Sequence, residues 1–200
     1  MTRLAALVQA FLITTAAPAF AVPVGSTAPD FALTSLKGEP VRLSDYKGKY
    51  VVLEWVNPGC PFVQKHYDSG NMPQLQKDAT AAGVVWLTVD STNPSSEDFQ
   101  TAPQLSKWLS SKNASPSVAM LDQDGAVGKL YSAKTTPHMF VIDPQGKLIY
   151  AGAIDSIRST DPADIRKATN FVKTALAEAQ AGKPVSRSST QAYGCTIKYQ

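Results

Sequence analysis

Cysteine is the residue type in this chain best suited to covalent chemistry, and there are two, Cys60 and Cys195. Cys60 follows the turn Asn57-Pro58-Gly59 and precedes Pro61. Proline is favoured at the first position of a helix, which puts Cys60 at a helix N-cap. The N–H groups and dipole at that end stabilise an anion, so a thiol held there favours the thiolate, its nucleophilic form. The alternative is a buried cysteine acting as a small hydrophobe. Cys195 stands near the end of the chain, in Tyr193-Gly194-Cys195-Thr196. Three roles are open to it. It resolves a sulfenic acid on Cys60 by closing a disulfide, it pins the tail through a permanent disulfide, or it is an unrelated or intermolecular thiol.

Other side chains are considered beside the thiols. Glu54 lies on an apolar strand, where a carboxylate is costly unless it is used or paired; it is a candidate base, or else an ion-pair partner of a lysine at a strand end. His138 either shuttles protons near the thiol or is a hydrogen-bonded core residue. His66 falls six residues after Cys60, off its helical face, and reads as structural or surface. Phe62, Tyr67 and Trp55 read as packing residues. Cys60, His66, His138, Met72 and Met139 are ligand types suited to copper, but no second cysteine lies near Cys60 in the chain. No metal or cofactor is therefore assigned.

The elements that must position Cys60 are legible in the apolar pattern. Residues 50–56 form a near-continuous run, Tyr-Val-Val-Leu-Glu-Trp-Val, expected as a central strand buried on both faces. A helix starts at Pro61, the segment 70–73 breaks it, and a second stretch runs from Pro73 to about Ala82. Strands are expected at 84–90 and 118–121, a helix at 102–110 and a short helix or turn at 124–131. Thr136-Pro137 leads into a strand that the turn Asp143-Pro144-Gln145-Gly146 folds into a hairpin. The last helix is expected from Asp161-Pro162, with Ile165, Ala168, Phe171, Val172, Ala175, Leu176 and Ala179 on its inner face. Beyond residue 181 the chain turns polar and is expected to be a mobile tail carrying Cys195. Strands alternating with helices make an α/β layered sheet, with one antiparallel part from the hairpin.

Composition narrows the class. Of 200 residues, 19 are Lys or Arg and 16 Asp or Glu, a net charge of +3, and 44% are hydrophobic. These values fit a folded domain and exclude wholesale disorder. The charge is too small, and too scattered, for nucleic-acid binding. Two cysteines are too few for a disulfide scaffold. Residues 1–21 read as a secretory signal peptide: a basic start, a short apolar run and an Ala19-Phe20-Ala21 cleavage pattern. The expected division is 1–21 signal, 22–181 folded domain and 182–200 tail, in a bacterial periplasm, with no stable membrane insertion.

Ala28-Pro29-Asp30-Phe31-Ala32-Leu33, the segment 41–49 and the strand ending in Cys60-Pro61 resemble the redoxin branch of thioredoxin-fold proteins. Thr136-Pro137 and the hairpin turn after it resemble that family's cis-proline loop. In detail the chain is similar to exported peroxiredoxin-like proteins of the alkyl hydroperoxide reductase and thiol-specific antioxidant type. The resemblance implies a thioredoxin-like fold with a central mixed sheet flanked by helices, and a reactive Cys60. It implies a site made with Asn57, Pro61, Thr136 and Pro137, and an external thiol reductant as partner. Two positions depart from the pattern. Val63 replaces the second cysteine of a dithiol motif. Asn57 stands where peroxiredoxins carry Thr or Ser. Arg42 and Arg158 are candidates by type for the family's activating arginine.

The sequence thus points first to reduction of hydroperoxides through Cys60. Thiol-disulfide exchange on protein disulfides is the alternative, followed by a non-catalytic binder or copper carrier on the same fold.

Overall fold

A computed structural model describes residues 22–199; the expected signal segment lies outside them. A seven-stranded mixed sheet forms the centre. Its strands are β1 (Ala32–Ser35), β2 (Pro40–Arg42), β3 (Val51–Trp55), β4 (Val85–Asp90), β5 (Val118–Leu121), β7 (His138–Ile142) and β8 (Leu148–Gly152), in the spatial order β2-β1-β5-β4-β3-β7-β8. β3, β4 and β5 are parallel, and β7, β8, β1 and β2 complete the sheet through antiparallel pairs. The helices are α1 (Pro61–Asp68), α2 (Asn71–Ala81), α3 (Ala102–Ser111), α4 (Ala126–Leu130) and α5 (Phe171–Gln180). Two short strands, β6 (Thr135–Thr136) and β9 (Cys195–Thr196), make a separate antiparallel ribbon. No helix among the described residues is long and apolar enough to cross a membrane.

Alternation along the strands divides the core into two layers. Val52, Trp86, Met139, Val141 and Tyr150 face α1, α2, α3 and α5. Leu53, Trp55, Leu87, Val89 and Phe140 face the other side, with Val127 and Tyr131 from the α4 region. Every residue of β3 is buried, as its unbroken apolar run requires for a strand covered on both faces. Trp55, Tyr131 and Phe140 pack together with ring centroids 5.2–5.7 Å apart. That geometry adds to what their burial alone contributes.

Three expectations need correction. The second helix starts at Asn71 rather than Pro73, because Gly70 takes the left-handed conformation (φ 76°) that turns the chain. The last helix starts at Phe171, not at Pro162. Asp161 caps only a 3-10 turn over Pro162–Arg166, and Asn170 restarts the chain by accepting the Lys173 N–H at 2.9 Å. Ile165 and Ala168 are therefore only half-buried, whereas Phe171, Val172, Ala175 and Leu176 enter the core.

The third correction concerns the tail. Residues 182–199 are not a loose appendage but a strap laid across one end of the sheet. Ala151 and Ser188–Thr190 exchange backbone hydrogen bonds along the outer edge of β8, and β9 then pairs with β6. The Thr190 hydroxyl occupies the space over Gly152, and the Tyr199 ring that over Gly125 and Gly128, so that a Cβ at any of the three would collide with the strap.

Candidate functional site

The β3 strand ends at Trp55, and the turn after it delivers Cys60 to the N-cap of α1. Its backbone is extended there (φ −81°, ψ 121°), and Pro61 opens the helix. The Cys60 N–H donates to the Asn57 carbonyl at 3.1 Å. The Cys60 thiol donates to the Thr136 carbonyl at 3.0 Å. The Thr136–Pro137 peptide is cis, as the resemblance implied. In the β6–β9 ribbon Thr136 lies opposite Cys195. Both cysteines are free thiols. Cys60 is only 2% exposed.

The two thiols share a small cavity of about 120 Å³, lined among others by Asn57, Thr92, Asp98, Thr136 and Lys198. That is well below the roughly 300–1,000 Å³ of ordinary small-molecule sites. Burial pushes the Cys195 thiol up to about 12, with the hydrogen bond and charge of the adjacent Cys60 sulfur adding to the effect. Cys60 sits on a helix N-terminus, and Cys195 beside it holds its proton.

Asn57 is beside the cysteines, and each end of its amide already has one partner. Its Oδ1 accepts the Gly59 N–H at 2.7 Å, and its Nδ2 donates to the Thr92 hydroxyl at 2.8 Å. Thr92 donates in turn to Asp90 Oδ1 at 2.5 Å. This chain from Asp90 fixes the turn that carries Cys60. Sequence reading missed it; an aspartate ending the buried run 84–90 was its one signal. The second Asp90 oxygen is buried without a partner.

Burial raises the Asp90 carboxyl to about 6, with Asp98 adding a smaller push. The folded value thus lies above the unfolded one of 3.8. Its contribution to stability is complete below pH 3.8 and is lost as pH rises through 6. Asp90→Asn keeps an acceptor for Thr92 and removes that loss. The variant is expected to gain about 2–3 kcal/mol relative to the parent between pH 4 and pH 8, read from urea unfolding at both values. A pH-independent difference would contradict the assignment.

The remaining sequence candidates lie elsewhere. Glu54 is fully buried on the same layer, where it accepts from Tyr67, Gln76, Trp86 and Thr88 rather than from a lysine. It does not line the cysteine cavity. His138 points to the opposite layer, its ring tilted against Phe140 with centroids 4.4 Å apart, and its Nδ1 accepts the Lys134 N–H. Burial lowers it to about 4, so it is neutral. His66 is buried on α1, its Nδ1 accepting from Asn71 and its Nε2 3.8 Å from Asp155. Arg42 and Arg158 are exposed and neither lines the cavity. Among the described residues no group of three or more His, Cys, Asp or Glu is placed to hold a metal ion.

Residues 24–151 match the AhpC/TSA family. The chain belongs to that family. It is similar to the thiol-disulfide oxidoreductase ResA of Geobacillus kaustophilus, 34% identical over 130 residues, or 64% of this chain and 68% of the relative. A shorter stretch of 67 residues is 37% identical to the peroxiredoxin Bcp of Bacillus subtilis, covering 32% of this chain and 43% of that one. Among solved structures, a putative thiol:disulfide interchange protein DsbE from Chlorobium tepidum superposes with a TM-score of 0.54 at 27% identity. The superposition covers 66% of this chain and 85% of that one. This AhpC/TSA protein is thus a thiol-dependent oxidoreductase on a thioredoxin-like fold. Its strap and Cys195 lie beyond the family-matched residues.

Proposed function

We propose that this AhpC/TSA protein is a thiol-disulfide oxidoreductase that uses Cys60 as nucleophile and Cys195 as its partner thiol. The observation that carries the reading is the β6–β9 ribbon, which seats Cys195 beside a cysteine at a helix N-cap. The partner thiol absent at Val63 is supplied from the far end of the chain. The Cys60 thiolate attacks a substrate disulfide, forming a mixed disulfide and expelling one substrate thiolate. That thiolate takes the proton of Cys195. The Cys195 sulfur then attacks Cys60 and leaves a Cys60–Cys195 disulfide, and the second substrate sulfur departs as a thiolate that takes from solvent the proton Cys60 lost on ionising. Two electrons pass to the substrate, and an external thiol reductant restores the pair. The leader-like residues 1–21 support a periplasmic setting, where disulfide substrates persist. The domain runs over 22–181, with 182–199 completing its site.

A second reading, hydroperoxide reduction, is favoured by the size of the cavity, which suits a peroxide better than a polypeptide. Cys60 would become a sulfenic acid as the O–O bond breaks, and Cys195 would displace water from it. A cavity lining without arginine supports disulfide exchange instead.

One experiment separates the two. Reduced protein is mixed with one equivalent of a protein disulfide or of hydrogen peroxide, quenched within seconds, and weighed intact. Disulfide exchange predicts a two-dalton loss (two hydrogens) with the protein disulfide and slow change with peroxide. Rapid loss with peroxide alone would make the protein a peroxidase.

A further inference from the structure

Asp155 lies on the segment that follows β8, past the family-matched residues, and is 3% exposed. It lines no part of the cysteine cavity. Its Oδ1 accepts the Tyr193 hydroxyl and, at 3.0 Å, the Ile157 N–H. Its Oδ2 has no hydrogen-bond partner among the described residues and faces two side chains of α1, Lys65 Nζ at 3.6 Å and His66 Nε2 at 3.8 Å. Lys65, itself buried, also donates to the Ile157 carbonyl at 3.2 Å. A buried ion pair is a weak source of stability, and its best-attested use is to fix a register. Here it fixes one. α1 carries Cys60 at its N-cap, and Tyr193 stands two residues before Cys195. The Tyr193 ring also meets Phe62, in the first turn of α1, edge-on at 5.7 Å. One carboxylate thus ties the helix of the first thiol to the strap of the second.

We infer that Asp155 and Tyr193 are positioning residues for the second half of the exchange. Cys60 is 2% exposed, and Cys195 lies opposite the Thr136 whose carbonyl accepts the Cys60 thiol. A substrate sulfur on Cys60 therefore crowds Cys195 aside. The Tyr193–Asp155 bond holds the strap to α1 just upstream while this happens, and it returns Cys195 to bond-forming reach. Only Gly194 separates the anchor from the thiol, and it passes so close to the Thr136 carbonyl that a Cβ there would collide with it. The anchor sets the effective concentration of Cys195 at the mixed disulfide, and with it the rate of resolution. The first attack needs Cys60 and neither of these residues. Tyr193, like Asp155, does not line the cavity, so both act through the placing of Cys195. This rests on the disulfide-exchange reading for the reaction and adds to it what keeps the distant thiol in place.

The test times the two half-reactions separately. Reduced full-length protein is mixed with one equivalent of a symmetric nitrophenyl disulfide, which releases a coloured thiolate, and is followed by stopped-flow absorbance. Attack by Cys60 breaks the S–S bond of the reagent and releases the first thiolate. Attack by Cys195 breaks the mixed disulfide, releases the second and leaves the Cys60–Cys195 disulfide. Cys195→Ser marks the first release alone. Tyr193→Phe keeps the ring against Phe62 and removes the hydroxyl. It is expected to give the first release within about twofold of the parental rate and to slow the second at least about tenfold, the scale of one hydrogen bond to a charged group. If Tyr193→Phe prevents folding, judged by thermal melting, Asp155→Asn, which leaves Tyr193 a neutral acceptor, replaces it, with the same split at about threefold or more. A second release at the parental rate, or both releases slowed alike, would overturn the inference. A parent protein that gives no second release would instead remove the disulfide-exchange reading, and the positioning role with it.

Discussion

Cys60→Ser is expected to reduce turnover of a protein disulfide by at least about a thousandfold, to the background rate of the reductant. A serine hydroxyl at this N-cap can still donate to the Thr136 carbonyl, so the fold should survive with little change in its melting temperature. What is lost is the thiolate, for which a hydroxyl without an adjacent base is no substitute. Cys195→Ser should behave differently. The first attack needs only Cys60, so the variant should react with substrate once and stall as a mixed disulfide. Intact mass after a single turnover would show substrate covalently attached to Cys195→Ser and none attached to Cys60→Ser. If Cys195→Ser turns over at the parental rate without accumulating an adduct, Cys195 is not the partner thiol. If Cys60→Ser retains activity, the site itself is misplaced.

The sheet and the nucleophile were legible because each has a local cause. Five buried residues in a row, a turn and a proline are enough to place β3, the N-cap cysteine and α1. The strap was not legible, for a physical reason. Residues 182–200 are polar and carry no helical or strand period, and the order of residues 182–199 comes from distant partners. Gly152, Gly125 and Gly128 clear its path, while Asn93, Lys134 and Asp155 hold it. None of these neighbours is marked in the sequence as belonging to the others. Asn57 illustrates the same limit within a local motif. Its proximity to Cys60 could be read, but not that its amide would be committed to Thr92 and Gly59. The last helix failed for the opposite reason: a local signal, Asp161-Pro162, was genuine but started only a 3-10 turn.

Glu54 carries the largest expected effect on stability. Its carboxylate receives Tyr67 at 2.8 Å, Gln76 at 3.0 Å, Trp86 at 2.8 Å and Thr88 at 3.1 Å, all in a fully buried setting. Burial raises the carboxyl above its usual range, and the four donors oppose that rise. Glu54→Leu removes the acceptor and keeps the donors. Tyr67 and Gln76 retain their contact with each other, and Thr88 can rotate, but the Trp86 indole N–H has nowhere to turn. Tyr67 only accepts in its contact with Gln76, so its O–H is orphaned together with the Trp86 N–H, and at about 1–3 kcal/mol per orphaned buried group the loss should be about 2–6 kcal/mol in urea unfolding. Glu54→Gln leaves a carbonyl oxygen for part of the cluster and should cost about 1–2 kcal/mol. The same variant decides between a relay and a hub. None of the residues that donate to Glu54 lines the cysteine cavity. Folded Glu54→Gln should therefore exchange disulfides within about threefold of the parental rate, with an unchanged pH profile. A loss of activity at full folding, with a displaced pH profile, would instead show Glu54 exchanging protons with Cys60 through the floor of the sheet.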